Sequence, residues 1–174
     1  MTIHSEHPFL EPPENRRPLR RIRSRWPAGV SVWTVAVGPR AARGEPVGLT
    51  VSSLVIADGE PGEVVGLLDP DSDLAEALSS GGRAMVNLLG VGHQELADVF
   101  AGLSPAPGGP FTVGDWQPDP YGPRLADALA TLAIEVTTDP VAVGWSSLIR
   151  GTVVSTTIAE GESLAHLRGR YLEL

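Results

Sequence analysis

Short runs rich in Val, Leu, Ile and Thr, each cut off by Gly, Pro or Asp, set the limits on what this chain can fold into. They occupy residues 30–37, 46–51, 54–57, 63–68, 83–89, 132–137 and 148–158. Runs this short, bounded by turn residues, read as strands, and the Asp58-Gly59-Glu60-Pro61-Gly62 interruption is a strong turn signal. Helices fit only in the gaps. Asp71 or Ser72 can cap a helix through Ser80, with Leu74, Ala75 and Leu78 on one face and Gly81-Gly82 at its end. His93 to Ala101 carries Leu96, Val99 and Phe100 at helical spacing and stops at Gly102. Many strands and two or three short helices predict a mostly β fold, a barrel with short capping helices. Repeats and heptads are absent, which sets aside solenoids and coiled coils.

Two segments fall outside the strand pattern. Residues 1–14 are polar and carry Pro8, Pro12 and Pro13, so they read as an extended arm. From Asn15, Leu19, Ile22 and Trp26 recur at helical spacing among Arg16, Arg17, Arg20, Arg21, Arg23 and Arg25, ending at Pro27 and Gly29. The expected organisation is therefore an arm with a short Arg-rich helix over 1–29 and a barrel domain over 30–174. The arginines read as a solvated face or a subunit contact. Residues 103–122 form a long Pro- and Gly-rich loop with Phe111, Trp116 and Tyr121, for which a lid or disorder are both open.

With 174 residues, one substantial core is expected. A net charge of −8 argues against general nucleic-acid affinity. No apolar run is long enough to span a membrane, and the N-terminus lacks a secretory pattern, so a soluble cytoplasmic protein is expected. Cysteine is absent, removing disulfides, thiolate metal sites and cysteine nucleophiles. His4, His7, His93 and His166 are dispersed, and no His-Glu-x-x-His occurs, so no metal site is predicted. Every basic residue is Arg, so a phosphate would meet guanidinium forks, hydroxyls or backbone N–H groups.

The residues with most to offer a ligand are Thr50, Ser52 and Ser53 at a strand end, followed one strand later by Asp69-Pro70-Asp71-Ser72 at a helix start. Both groups suit a phosphate. Both also suit ordinary turn and helix capping. Asn87 is similarly ambiguous, because a polar residue within an apolar strand usually satisfies neighbouring backbone.

Gly48-Leu49-Thr50-Val51-Ser52-Ser53, Asp69-Pro70-Asp71-Ser72-Asp73-Leu74, residues 80–89 with Val86-Asn87, the helix ending in Phe100, and His166-Leu167-Arg168-Gly169-Arg170-Tyr171 occur in an order that resembles the flavin reductase-like, FMN-binding split-barrel family. The resemblance spans most of the chain from Val30 onward. It implies a split β-barrel of Greek-key type and a homodimer, with FMN, or FAD, at or near the subunit interface. The residues it places at the cofactor are Leu49, Thr50, Val51, Ser52, Ser53, Asp69, Ser72, Leu74, Asn87, Phe100, Arg168 and Tyr171. It further implies NAD(P)H as hydride donor and a separate monooxygenase as partner. No acid–base residue is implied, because hydride acceptance is the flavin's own chemistry. Asp73 and Gly144-Trp145-Ser146 depart from the family pattern, which usually has Thr at the first place and Gly-Asp-His at the second. They support a second reading, a flavin-binding barrel without turnover that serves in binding or regulation.

Overall fold

The computed structural model describes residues 18–36, 44–78 and 81–173. The expected arm over 1–14 lies outside them. Helix α1 (Pro18–Arg23) leads to β1 (Ala28–Gly29), β2 (Ser31–Val35), β3 (Val47–Val51), β4 (Leu54–Ala57) and β5 (Glu63–Leu68). Helix α2 (Asp73–Ala77), β6 (Arg83–Leu88) and α3 (Gln94–Phe100) follow. After a 3-10 turn at Pro110–Thr112 come β7 (Trp116–Gln117), β8 (Arg124–Leu125), β9 (Ala130–Val136), β10 (Val141–Val143), β11 (Ser146–Ile158), β12 (Leu164–Leu167) and β13 (Arg170–Glu173). Among these described residues no helix is long and apolar enough to cross a membrane.

The main sheet is antiparallel, ordered β3-β2-β6-β9-β11-β5-β4, with β10 paired to β11. Its two ends are consecutive strands joined by Ser52 and Ser53 alone. The sheet therefore curls until β3 and β4 meet through a covalent link, with no ladder between them among the described residues. This is a split barrel. β11 makes the curl possible: its first half pairs with β5 and its second with β9, and a register shift between Val153 and Ser155 bends it.

One core fills the barrel, built from Trp33, Val64, Leu68, Val86, Ile134 and Ile149 and plugged at one end by Leu74 and Leu78. Gly66 is part of that fit, since a Cβ there would stand 2.8 Å from the Trp33 indole. A second core lies on the outer face of β2 and β6, where Val30, Val32 and Leu89 meet Leu96 and Phe100 of α3 and Leu164 of β12. β2 is thus covered on both faces, and all five of its residues are buried.

The long Pro- and Gly-rich loop is part of this second core. Phe100, Phe111 and Trp116 form a triangle with ring centroids 5.0–5.3 Å apart, each pair contributing about 0.5–1.5 kcal/mol beyond simple burial. Asn87 fastens the segment after it. The carboxamide nitrogen donates to the Val32 carbonyl (3.1 Å) and the Pro123 carbonyl (3.4 Å), and the oxygen accepts from the Leu125 N–H (2.9 Å).

Candidate functional site

The two hydroxyl-bearing segments of the sequence do come together. β3 delivers Ser52-Ser53 to the split, and there the Ser53 carbonyl accepts from the Leu67 N–H (3.0 Å), two residues before Asp69. Asp69 to Ser72 is a folded turn: the Asp69 carboxylate accepts from the Asp71 N–H (3.0 Å), and the Ser72 hydroxyl donates to the Asp69 carbonyl (2.6 Å). The Ser72 oxygen also caps α2 by accepting from the Ala75 N–H (3.2 Å). Ser72 is therefore occupied by capping. Ser52 and Ser53 differ: half-buried, they have no protein hydrogen bond to hydroxyl or amide N–H among the described residues. Free donors at one rim fit the phosphate and ring-edge acceptors of a flavin.

The rim is held from below. Val51, the last residue of β3, gives its carbonyl to the Ser31 hydroxyl (2.7 Å), and the Ser31 oxygen accepts from the Trp33 indole N–H (3.2 Å). Leu49 packs against the barrel core, where Val51 and Leu74 are buried. Thr50 faces outward and donates to the Ala97 carbonyl of α3 (2.7 Å). Phe100, one turn along, packs over Gly48, where a Cβ would sit 2.7 Å from the ring. Leu49, Val51, Leu74 and Phe100 thus pack in or against the cores, while the buried Asn87 is engaged in its bonds to Val32, Pro123 and Leu125.

A second cluster forms on α3. The Tyr171 hydroxyl donates to the Asp98 carboxylate (2.7 Å), beside His166, whose ring stands 5.7 Å from that of Tyr171. Burial and then the bond to Asp98 push the Tyr171 pKa up, so it remains a phenol. Burial and the nearby Arg23 cation lower the His166 pKa, with Asp98 acting in the opposite direction. Arg168 sits at the tip of the β12–β13 turn with φ 53°, Gly169 following at 78°, and its N–H is bonded to the Ser24 carbonyl (2.8 Å). The Arg168 backbone is thus tied to the residue that follows α1.

Two features near the rim were not read from the sequence. One is the β10–β11 hairpin: its Ser147 lies opposite Leu68, so the Gly144-Trp145 turn stands beside the Asp69 turn. Val141-Ala142-Val143 before Gly144 was the available signal. The other is an apolar face. Cross-strand register sets Val55, Val65 and Arg150 in one row and Leu67, Leu148 and Val141 in the next, opposite in direction to Gly66, which faces Trp33. Val55, Leu67, Val141 and Val143 are exposed there. Arg150 is paired with Glu63 on the same face through bonds of 2.7–3.0 Å. A depression of about 260 Å³ lies elsewhere, between His93, Asp127, Leu129 and residues 159–162.

Comparison with known proteins gives this arrangement a context. A family model described as "Flavin reductase like domain" matches residues 23–174. An "FMN reductase (NADH) RutF" from Ancylobacter novellus is 29% identical over 164 residues, 92% of this chain and 86% of that protein. The reductase component of a 4-nitrophenol 4-monooxygenase/4-nitrocatechol 2-monooxygenase from Rhodococcus opacus is 27% identical, over 91% of this chain and 81% of its own length. Among solved structures, the Streptomyces globisporus NADH:FAD oxidoreductase SgcE6 in complex with NAD and FAD fragments superposes with a TM-score of 0.76 at 26% identity, covering 95% of this chain and 96% of that one.

Proposed function

We propose, from the premise that this chain belongs to the flavin reductase like domain family, that it is an NAD(P)H-dependent flavin reductase whose reduced FMN or FAD serves a separate monooxygenase. The observation that carries the reading is the free donor set of Ser52 and Ser53 at the split of the barrel. Similarity to an FMN reductase (NADH), to the reductase component of a monooxygenase and to an NADH:FAD oxidoreductase supports it. The bound flavin supplies the redox chemistry, accepting hydride from the nicotinamide. The chain's own work is to bind and orient. Ser52 and Ser53 hold the flavin at the rim, the Asp69–Ser72 turn fixes the rim's shape, and Thr50 ties β3 to α3. Asn87, Phe100, Leu49, Val51 and Leu74 support this surface from the cores, and the working location is the cytoplasm.

Flavin titration followed by NADH oxidation with added FMN tests this. Wild-type protein is expected to quench FMN fluorescence and to turn over. Ser52→Ala/Ser53→Ala is expected to weaken FMN binding about tenfold, about 1.4 kcal/mol, with little change in thermal stability. Absence of NADH oxidation at every flavin concentration would sink the reading.

A homodimer is part of the same proposal. The exposed row of Val55, Leu67, Val141 and Val143 adjoins the rim, so a second copy seated on it flanks the flavin. Sedimentation should give twice the chain mass, with Val55→Asp reducing it to one chain and lowering flavin affinity in step. A single-chain mass for the wild type would overturn the dimer while leaving the rim site standing.

A further inference from the structure

Nine arginines fall among the described residues, and they divide sharply. Arg83 is paired with Glu135 (3.1 Å), Arg150 with Glu63, Arg124 with Gln117, and Arg20 is also engaged. The guanidinium groups of the other five, Arg21, Arg23, Arg25, Arg168 and Arg170, have no carboxylate or hydrogen-bond partner among the described residues. All five lie together. α1 carries Arg21 and Arg23, Arg25 follows it, and the Arg168 N–H to Ser24 carbonyl bond (2.8 Å) brings the β12–β13 turn, with Arg168 and Arg170, against the same end.

In a chain of net charge −8 such a concentration of unpaired cations is costly in self-repulsion, and it is relieved by an anion of high charge density. The nearest carboxylate of α3, Asp98, is held by Tyr171. Within the patch stands a large aromatic: Trp26 is 77% exposed, its backbone fixed by an N–H bond to the Arg23 carbonyl (3.1 Å) and followed by Pro27. Guanidinium forks bind phosphate oxygens in pairs, and an exposed indole offers its face to a purine. A ligand that joins a flat base to a diphosphate uses both features together.

We propose that this surface, where α1 meets the β12–β13 turn, binds the adenosine diphosphate half of a dinucleotide, with Trp26 beneath the adenine and Arg23, Arg25 and Arg168 on the phosphates. The inference rests on the reading of this chain as a flavin reductase, because both NADH and FAD carry that half and FMN does not.

Calorimetric titration with ADP, AMP and inorganic pyrophosphate tests it. ADP should bind more tightly than either of the others, and Arg25→Gln/Arg168→Gln should weaken ADP about tenfold or more. Trp26→Ala should weaken it as well, and Trp26→Phe should restore most of the affinity. FMN binding should be the same in all these variants. If the site serves the hydride donor, the KM for NADH rises in the arginine variant with FMN as acceptor. If it serves the flavin, the FAD-to-FMN affinity ratio falls and that KM holds. ADP affinity unchanged by the substitutions overturns the proposal, as does pyrophosphate binding as tightly as ADP, which would mark a general anion surface. Failure of the wild type to bind FMN would instead strike the reductase reading, since the ADP titration is read independently of it.

Discussion

Trp33→Ala is expected to remove about 3–5 kcal/mol of stability, a large share of what a domain of this size has in total. The indole is wholly buried in the middle of β2 and spans the barrel interior to Gly66, where there is room for the ring only because no Cβ is present. The other buried residues of this core come from β3, β5, β6, β9, β11 and α2 as well as β2, so they cannot collapse into the space together, and the cavity cost adds to the lost transfer energy. Thermal unfolding should show a Tm lowered by on the order of 10 °C. The same side chain reaches the functional rim: its N–H holds the Ser31 hydroxyl, which holds the Val51 carbonyl one residue before Ser52. Trp33→Phe separates the two roles. It keeps most of the apolar volume, loses the donor, and is expected to cost about 1 kcal/mol for the hydrogen bond together with a measurable fall in FMN affinity. A Trp33→Ala protein within about 1 kcal/mol of wild type would show that the ring is not the keystone of the barrel.

How much of this was legible beforehand depended on whether a segment's pattern arose from its own neighbours. β4 and β5 were read at the bounds the structure gives, because a run of aliphatic residues and a Gly/Pro turn are local facts. α2 was expected to reach Ser80 but ends at Ala77, with Leu78 turned down into the barrel as part of its plug. Tertiary packing overrode the helical spacing there. β10 and the β12–β13 hairpin were not foreseen as paired strands, since their pairing is set by β11 and by β1. Ser52 and Ser53 were visible as hydroxyls, yet nothing local distinguished them from Ser72. The difference is global: Ser72 caps its own helix, whereas Ser52 and Ser53 bridge the sheet's two ends, where the ladders stop. The Arg-rich helix was legible as a charged face, but that the Arg21, Arg23 and Arg25 side chains lack partners among the described residues, and that the Arg168 turn joins them, required the fold. The long loop left a lid or disorder open; its Phe111 and Trp116 are ordered against Phe100 in the second core, a packing role that its local composition did not indicate.

That loop is the target of the second large effect. Gly122→Ala is expected to cost about 2–5 kcal/mol, from overpacking and from a backbone conformation open mainly to glycine. A Cβ at this position would be 2.4 Å from the Thr34 carbonyl oxygen, and φ is +137°. Neither partner can yield cheaply, because Thr34 is buried in β2, the strand both cores share. Lifting Gly122 away also strains the bonds on either side of it. The Thr34 hydroxyl would be drawn from the Pro123 carbonyl (2.7 Å), and the Leu125 N–H from the Asn87 carboxamide (2.9 Å), exposing buried polar groups. The consequence should be local before it is global. Limited proteolysis under native conditions is expected to cut faster within residues 103–122, while hydrogen exchange of β5 and β11, on the far side of the barrel interior, is less affected. Uniform loss of protection across all strands would mean instead that the loop and the barrel unfold as one unit, and that Asn87 holds the whole fold together rather than the cover on its outer core.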